Sequence, residues 1–391
     1  MKIGITCYPT YGGSGAIATE LGIELARRGH EIHFISYAQP FRLSHFTERV
    51  FFHEVEIARY PLFEYPPYSL ALAAAMHEVT LREELELLHV HYAIPHATSA
   101  WVAKEMLGTG RDLRVATTLH GTDITLVGQE RSFLEITRFS IQRSDGVTAV
   151  SEYLRQETLS HFGAPPSGVE VIHNFVDPQL YDRERYPCRK SALLDPGEKL
   201  VMHTSNFRAV KRVGDVIRTF ARIAEQVPSR LLLVGDGPDR PEAVRQADEL
   251  GIGDRVIFLG KQDSVAELLS CADLFLLPSQ SESFGLAALE AMASGVPVIA
   301  SNAGGLPEVV PHGVAGFLAP VGDVASMADA GIGLLRESTR WREFSAAARQ
   351  WAIDHFGVEA IVPQYERFYE SVLNGAAASA GTPIPQTVAT P

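Results

Sequence analysis

Two glutamates, Glu282 and Glu290, lie in the mainly apolar stretch SESFGLAALEAMASG (281–295). Apolar runs typical of buried parallel strands precede and follow it, so the pattern predicts a strand, a loop and then a helix. Glu282 would lie in the loop, and Glu290 about 12 Å further along the helix axis at ~1.5 Å per residue. Carboxylates accept hydrogen bonds, and sugars and riboses offer hydroxyls in vicinal pairs. The spacing therefore suggests two hydroxyl-binding side chains at one site, whereas either glutamate alone would be an ordinary surface residue.

A cationic segment, NFRAVKR (206–212), follows the first predicted strand of the second half of the chain. It places Arg208, Lys211 and Arg212 close together in a chain whose formal net charge is −13. Charge-assisted hydrogen bonds from such side chains would stabilise a diphosphate leaving group. The alternative is a solvated helix N-terminus, but cations there oppose the helix dipole unless an anion lies nearby. We therefore interpret the segment as an anion site.

A glycine-rich stretch, YGGSGA (11–16), lies between the first predicted strand and the first predicted helix. Its glycines would let backbone amides approach an anion at the helix N-terminus, and a tight turn without a ligand is the alternative. Gly13, Gly15 and Ala18 also match the relaxed dinucleotide fingerprint G-x-G-x-x-A. A nicotinamide-dependent oxidoreductase needs an acid after the second strand, and FISYAQPFR (34–42) contains none. That class of enzyme is therefore disfavoured.

His120 ends a predicted strand in the first half of the chain, and ligands of open parallel sheets bind beyond the carboxyl ends of the strands. From the residues alone, a buried structural histidine is an equal alternative. Tyr92 and Thr118 lie near neighbouring strand ends and Ser14 lies in the glycine-rich stretch, so these side chains are candidates for binding an acceptor. The other histidines of this region show no metal-ligand spacing: His89, His91 and His96.

Composition excludes several classes of protein. The acidic balance argues against nucleic acid or an anionic membrane as the main partner. The three cysteines, Cys7, Cys188 and Cys271, are widely spaced, which predicts reduced thiols in a cytoplasmic protein with neither a disulfide framework nor a zinc site. The chain opens directly into a strand without a signal peptide, and no apolar run approaches ~18 residues. No Asp-x-Asp pair occurs, so we expect no divalent metal.

Apolar strands alternate with amphipathic helices in both halves of the chain, which predicts an α/β protein with two Rossmann-like, doubly wound parallel sheets. Residues 1–175 would form an N-terminal acceptor domain and residues 176–357 a C-terminal donor domain, with the ligands in a cleft between them. Residues 358–373 would form a C-terminal helix, with packing back on the N-terminal domain as one option. The small-residue tail, 374–391, is predicted to be disordered.

The segment PSQSESFGLAALEAMASGVPVIASNAGGLPEVVPHGVAGFLAPVGD (278–323) resembles the donor-binding signature of the retaining family-4 glycosyltransferases, with its Glu-x7-Glu pair. That family has the GT-B fold, two Rossmann-like domains that face a cleft. HVHYAIPHA (89–97), TTLHGTDIT (117–125) and SNFRAVKR (205–212) narrow the resemblance to the N-acetylglucosaminyl-malate synthases of bacillithiol biosynthesis. Members of that family transfer N-acetylglucosamine, with retention, from UDP-N-acetylglucosamine to the hydroxyl of L-malate.

The resemblance implies that Glu290 binds the ribose hydroxyls and Glu282 the hydroxyls of the sugar ring. Lys211 and Arg208 would bind the diphosphate, and His120 would contact the transferred sugar; with Glu282 these three residues would act in catalysis. Backbone groups would hold the uracil and the phosphates: Lys261, Gln262, Phe284, Gly285, Leu286 and Gly13. The acceptor would be bound by a further set: Ser14, Gly15, Tyr92, Thr118, Asn206 and Arg208.

The broader family usually has an arginine where this chain has Asn206, so Arg208 serves either the diphosphate or the acceptor. No carboxylate nucleophile stands beside the expected sugar position, which favours attack on the same face as the leaving group over a covalent glycosyl-enzyme. We expect no cofactor and no metal, and the resemblance implies a homodimer. A same-fold transferase acting on an inositol phosphate or a lipid is the alternative, and a passive nucleotide-binding module is the weaker one. No strongly basic amphipathic stretch supports a lipid acceptor.

Overall fold

The computed structural model describes residues 1–9, 12–43, 46–57, 64–186, 188 and 194–375. The chain divides into two units, called here the first and the second unit. The first comprises Met1–Asn174 together with the chain from Ile361, and the second comprises Phe175–Ala360. Of the tail for which disorder is predicted, residues 376–391 lie outside the described residues.

The sheet of the first unit has seven parallel strands in the order β3-β2-β1-β4-β5-β6-β7. The strands are β1 (Lys2–Thr6), β2 (Glu31–Ser36), β3 (Val50–Glu54), β4 (Leu87–His91), β5 (Arg114–Leu119), β6 (Gly146–Ala149) and β7 (Glu170–Val171). The helices between them are α1 (Gly13–Arg27), α2 (Tyr68–Glu83), α3 (Thr98–Leu107), α4 (Leu134–Arg143) and α5 (Glu152–Phe162). β3 and β7 are edge strands without a long apolar run, so apolar patterning alone does not predict them.

The core of the first unit lies on both faces of its sheet. All five residues of β4 are buried, as expected for a central strand of a parallel sheet with helices on each side. The C-terminal helix α13 (Val358–Leu373) contributes its residues from Ile361 to this unit. It packs against β6 so closely that a Cβ atom on Gly146 would lie 2.4 Å from Val372 and 2.7 Å from Phe368. A larger residue at that position would require these side chains of α13 to shift.

The sheet of the second unit has six parallel strands in the order β10-β9-β8-β11-β12-β13. They are β8 (Lys199–Thr204), β9 (Ser229–Val234), β10 (Val256–Gly260), β11 (Leu274–Leu277), β12 (Val298–Ser301) and β13 (Gly316–Ala319). The helices are α6 (Val213–Ala224), α7 (Arg240–Glu249), α8 (Ala266–Cys271), α9 (Leu286–Ala293), α10 (Leu306–Val309), α11 (Val324–Arg336) and α12 (Ser338–Phe356). The predicted class, α/β with two Rossmann-like parallel sheets, is confirmed. None of the described helices is long and apolar enough to cross a membrane.

The prediction that all three cysteines are reduced thiols is wrong for two of them. Cys188 and Cys271 form a disulfide, with Cα atoms 5.1 Å apart across 83 residues of sequence. Their wide spacing concealed the pair, because the chain segment before β8 returns to the end of α8 only in the folded unit. Cys7 is the free, buried cysteine, and burial raises the pKa of its thiol to about 12.

Candidate active site

In the second unit, the structure brings together two of the residues that the sequence singled out. Lys211 Nζ lies 2.7 Å from Glu282 Oε1, and the Ser279 hydroxyl donates to the same oxygen at 2.7 Å. The side chains of Lys211 and Glu282 are 21% and 13% exposed, so the ion pair borders solvent. A backbone hydrogen bond from Gln280 N to Val210 O joins the two loops that carry the pair.

The loop after β8 presents its cations outward because its middle is anchored inward. Phe207 is buried, whereas Asn206 and Arg208 are exposed. The loop after β9, VGDGP (234–238), packs against it, and a Cβ atom on Gly237 would lie 2.0 Å from the Asn206 carbonyl oxygen. No carboxylate among the described residues pairs with Arg208, while Arg212 is paired with Asp215. Arg208 is therefore the cation of this segment that is available to an external anion.

Glu290 lies on α9, in a helix that is otherwise almost wholly buried. The residue is 9% exposed, and its Oε1 accepts a 2.6 Å hydrogen bond from the Tyr181 hydroxyl. Tyr181 is 2% exposed and comes from the segment that opens the second unit. A carboxylate at such a buried position must be hydrogen-bonded, because its desolvation is otherwise costly. The sequence analysis missed Tyr181, since 109 residues separate it from its partner and no local pattern joins them.

The N-terminus of α9 follows a buried aromatic side chain and a glycine in the left-handed conformation. The Phe284 side chain is 2% exposed and packs edge-on against Phe356, with ring centroids 5.5 Å apart. Gly285 has φ 106°, a left-handed conformation that favours glycine, and Leu286 begins the helix. The first N–H groups of a helix lack partners within it and attract anions. The assignment of the Phe284, Gly285 and Leu286 amides to the phosphates stays a prediction.

Lys261 and Gln262 follow β10 at the edge of the sheet and are both exposed. Gln262 Nε2 donates to the Leu259 carbonyl at 3.2 Å. Neither residue makes a described hydrogen bond or ion pair with Lys211, Glu282 or Glu290. Their assignment to the uracil stays a prediction.

In the first unit, three predicted site residues lie together beyond the strand ends. The Tyr92 hydroxyl donates to Ser14 Oγ at 2.9 Å, and the rings of Tyr92 and His120 are 5.3 Å apart. Gly13 begins α1, and the Gly15 carbonyl accepts a hydrogen bond from Thr19 Oγ1 at 2.7 Å. This end of the sheet therefore offers hydroxyl, imidazole and backbone amide groups.

Thr118 is not among the groups that the structure exposes at this end. It is fully buried on β5, and its hydroxyl bonds to His89 Nε2 and to Thr148 Oγ1, each at 2.7 Å. Tyr369 of α13 bonds to the other ring nitrogen of His89 at 2.8 Å. Thr118 thus belongs to a polar network inside the unit, because strand alternation turns its side chain toward α13 and not toward a ligand.

Asp123 is a candidate that the sequence analysis missed. It is 2% exposed and accepts backbone N–H bonds from Ala93 at 2.9 Å, Gly121 at 3.0 Å and His120 at 3.3 Å. Burial raises the pKa of Asp123 to about 6, although these hydrogen bonds act in the opposite direction. The available signal was an aspartate three residues after His120 in HGTD, where it can bond back to the loop that positions the histidine.

A cavity of about 350 Å³ adjoins these residues in the first unit. Aromatic and aliphatic side chains dominate its lining, which includes Tyr8, Tyr92, Ile94, Pro95, Asp123 and Phe133. Within the described ranges, no group of three or more His, Cys, Asp or Glu side chains is arranged to hold a metal ion.

The chain has two Rossmann-like units, and the second carries the exposed cation Arg208 and the carboxylates Glu282 and Glu290. This combination is typical of the GT-B class of glycosyltransferases. Family models agree: residues 11–180 match Glycosyltransferase Family 4, and residues 186–351 match Glycosyl transferases group 1. Among solved structures, Anabaena HepE in complex with UDP and glucose has a TM-score of 0.79 at 21% identity, over 95% of this chain and 100% of that one. The sucrose-phosphate synthase of Thermosynechococcus elongatus has a TM-score of 0.77 at 23% identity, over 96% and 100%. These likenesses support the fold.

A closer relative defines the family within that class. The chain is 50% identical over 374 residues to the N-acetyl-alpha-D-glucosaminyl L-malate synthase of Bacillus anthracis, across 95% of this chain and 97% of that protein. The chain belongs to this family of glycosyltransferases. The D-inositol 3-phosphate glycosyltransferase of Mycobacterium marinum is more distant, at 34% identity over 54% of this chain and 45% of that protein.

Proposed function

We propose that this enzyme transfers N-acetylglucosamine from UDP-N-acetylglucosamine to the hydroxyl of L-malate, giving N-acetyl-alpha-D-glucosaminyl L-malate, the first step of bacillithiol biosynthesis. The observation that carries the proposal is the 50% identity, over nearly the full length of both chains, to the malate synthase of Bacillus anthracis. The more distant inositol phosphate enzymes match only about half of the chain, which leaves the alternative acceptor with weaker support.

The second unit would hold the donor. Glu290 would bind the ribose hydroxyls, and the amides at the start of α9 would bind the phosphates. Lys211 would move from its 2.7 Å contact with Glu282 to share its charge with the diphosphate. Glu282 would then accept hydrogen bonds from the hydroxyls of the sugar ring. The backbone near Lys261 and Gln262 would meet the uracil.

The reaction breaks the bond between the anomeric carbon and the β-phosphate oxygen and forms one between that carbon and the malate hydroxyl oxygen. Negative charge develops on the departing UDP, where Lys211 would stabilise it. The malate hydroxyl proton passes to the departing phosphate oxygen, so attack on the same face gives retention without a protein nucleophile. Glu282 and Glu290 are both assigned to hydroxyl contacts, which leaves neither of them as the nucleophile and supports this route. No step requires a metal.

Malate carries two negative charges and needs at least one cation. Arg208 meets that need, because it is exposed and no described carboxylate pairs with it. Ser14, Gly15, Tyr92 and Asn206 would supply neutral donors. A role of Arg208 at the diphosphate is the alternative, and a cytoplasmic location and a homodimer stay predictions.

The test is a mass-spectrometric assay of purified protein with UDP-N-acetylglucosamine, L-malate and excess EDTA. We expect a glycosylated malate with matching UDP release, and an α anomeric coupling by NMR. Binding of UDP-N-acetylglucosamine without glycosylation of malate would contradict the acceptor assignment and leave the donor site intact. Activity that EDTA abolishes and magnesium restores would contradict metal independence. A parallel reaction with inositol 3-phosphate tests the alternative.

A further inference from the structure

Two imidazole rings lie side by side where β4 and β5 end. His91 Nδ1 is 2.7 Å from His120 Nε2, and the ring centroids are 5.0 Å apart with an angle of 24° between the ring planes. Because the nitrogens are so much closer than the centroids, they lie between the two rings. The contact is therefore an edge-to-edge hydrogen bond between nearly coplanar rings. His91 is fully buried, whereas His120 is partly exposed.

A hydrogen bond between two imidazoles requires one N–H and one bare nitrogen. Burial lowers the pKa of His120 to about 3 and the pKa of His91 well below its ordinary value, so both rings are neutral near pH 7. Each ring then carries one proton, and two arrangements remain. Either His91 donates from Nδ1 and His120 keeps its proton on Nδ1, or His120 donates from Nε2 and His91 keeps its proton on Nε2.

The surroundings of His91 distinguish the two arrangements. His91 Nε2 is buried and has no hydrogen-bond partner among the described residues. In the second arrangement it would be a buried N–H without an acceptor, and orphaned N–H groups are rarer in proteins than under-bonded acceptors. His96 cannot help. Its Nδ1 bonds to the His91 carbonyl at 2.5 Å and must donate there, and its bare Nε2 is also without a partner in the described part of the chain.

We propose that His91 is a positioning residue that holds His120 in the Nδ1–H tautomer, so that His120 acts as a neutral hydrogen-bond donor toward the transferred sugar. The sugar contact rests on the proposed function; the tautomer does not. The Asp123 carboxylate holds the His120 backbone N–H at 3.3 Å, which fixes the main chain while His91 fixes the ring. A donor at this place cannot remove the proton of the acceptor hydroxyl. The hydrogen bond that this donor makes becomes stronger as negative charge grows on the oxygen that accepts it.

Long-range ¹H–¹⁵N correlation of protein labelled with ¹⁵N-histidine tests the tautomer directly and requires no substrate. The signals of His120 are those that vanish in His120→Gln. We expect a protonated Nδ1 and a bare Nε2, unchanged between pH 6 and pH 8. The reverse pattern, or an imidazolium pattern in this range, would overturn the proposal. Because this readout is independent of activity, failure of the tautomer and failure of the malate reaction are distinguishable.

Three variants of His91 test the consequence for catalysis. In His91→Asn the side-chain amide can still donate to His120 Nε2, and we expect kcat within about fivefold of wild type. His91→Leu offers no donor and His91→Asp offers only an acceptor, so kcat should fall about 10²-fold, while the Kd for UDP changes less than threefold. His33→Leu removes another buried histidine of the first unit and is the matched control for packing loss. Wild-type kcat in His91→Leu, or an equal loss in all three variants, would overturn the proposal.

Discussion

Replacing Tyr181 by phenylalanine tests whether Glu290 is held in place for the donor ribose. The Tyr181 hydroxyl donates to Glu290 Oε1 at 2.6 Å, and the two residues are only 2% and 9% exposed. A hydrogen bond to a charged group contributes about 1.5–3 kcal/mol. Phenylalanine keeps the ring, so the change removes the hydroxyl without opening a large cavity.

We expect Tyr181→Phe to weaken UDP binding by about 2 kcal/mol, which is about 30-fold at 1.4 kcal/mol per tenfold. The reason is that the carboxylate loses its fixed orientation and must be ordered again by the ligand. Glu290→Ala should abolish measurable UDP binding and leave the fold intact. Isothermal titration calorimetry measures both effects. Tyr186→Phe is the matched control, because Tyr186 lies on the same segment and its ring contacts Arg185, not Glu290.

A thermodynamic cycle separates this role from a merely structural one. In the Glu290→Gln background the neutral amide gains less from the Tyr181 hydroxyl, so Tyr181→Phe should cost less than about threefold in UDP affinity there. Equal losses in the two backgrounds would refute the reasoning, since the effect would then not pass through the carboxylate. UDP binding of Tyr181→Phe at wild-type affinity would refute it as well.

Three further predictions concern other groups. Lys211→Met should lower kcat about 10²–10³-fold, because one contact that stabilises the charge of the leaving UDP is lost. Glu282→Gln should mainly raise the KM for the donor sugar. Steady-state kinetics in which both variants keep the wild-type kcat would contradict the first expectation. The pKa of Asp123 is raised from 3.8 to about 6 in the fold, so the free energy of unfolding should fall by about 2 kcal/mol as the pH rises from 4 to 6. Asp123→Asn should flatten that slope in urea unfolding. Reduction of the Cys188–Cys271 disulfide, which spans 83 residues, should lower the free energy of unfolding by about 4 kcal/mol, and superimposable denaturation curves with and without reductant would contradict it.

Local patterns made the elements that carry the proposed donor site predictable. The glycine before α9, the apolar strands on either side and the Glu-x7-Glu spacing all lie within a few dozen residues, so the loop and helix follow from sequence order alone. The same holds for the cations after β8. The contact between Lys211 and Glu282 was not predictable from spacing, because 71 residues separate them and the loops meet only when β8 pairs with β11.

Buried polar groups were the least predictable feature. Thr118 and His120 are two residues apart on and after one strand, yet the first is fully buried in the network with His89 and the second is partly exposed. Residues two apart share one face of a strand, so alternation does not separate these two. Thr118 lies within β5, whereas His120 lies just beyond its end at Leu119, and the sequence does not reveal where α13 covers that face. Asp123 and Tyr181 were missed for a related reason, since their roles depend on what surrounds them.

By itself the sequence determined the α/β class, the two parallel sheets and the donor signature, because apolar periodicity and glycine placement act over short stretches of chain. Only the tertiary structure decided which polar side chains meet: Tyr181 with Glu290, Lys211 with Glu282, His91 with His120, and Cys188 with Cys271. The physical reason is that the energy of a buried hydrogen bond or ion pair depends on distance and desolvation. Distance and desolvation are both set by folding, which brings groups that are remote in sequence within 3 Å of each other.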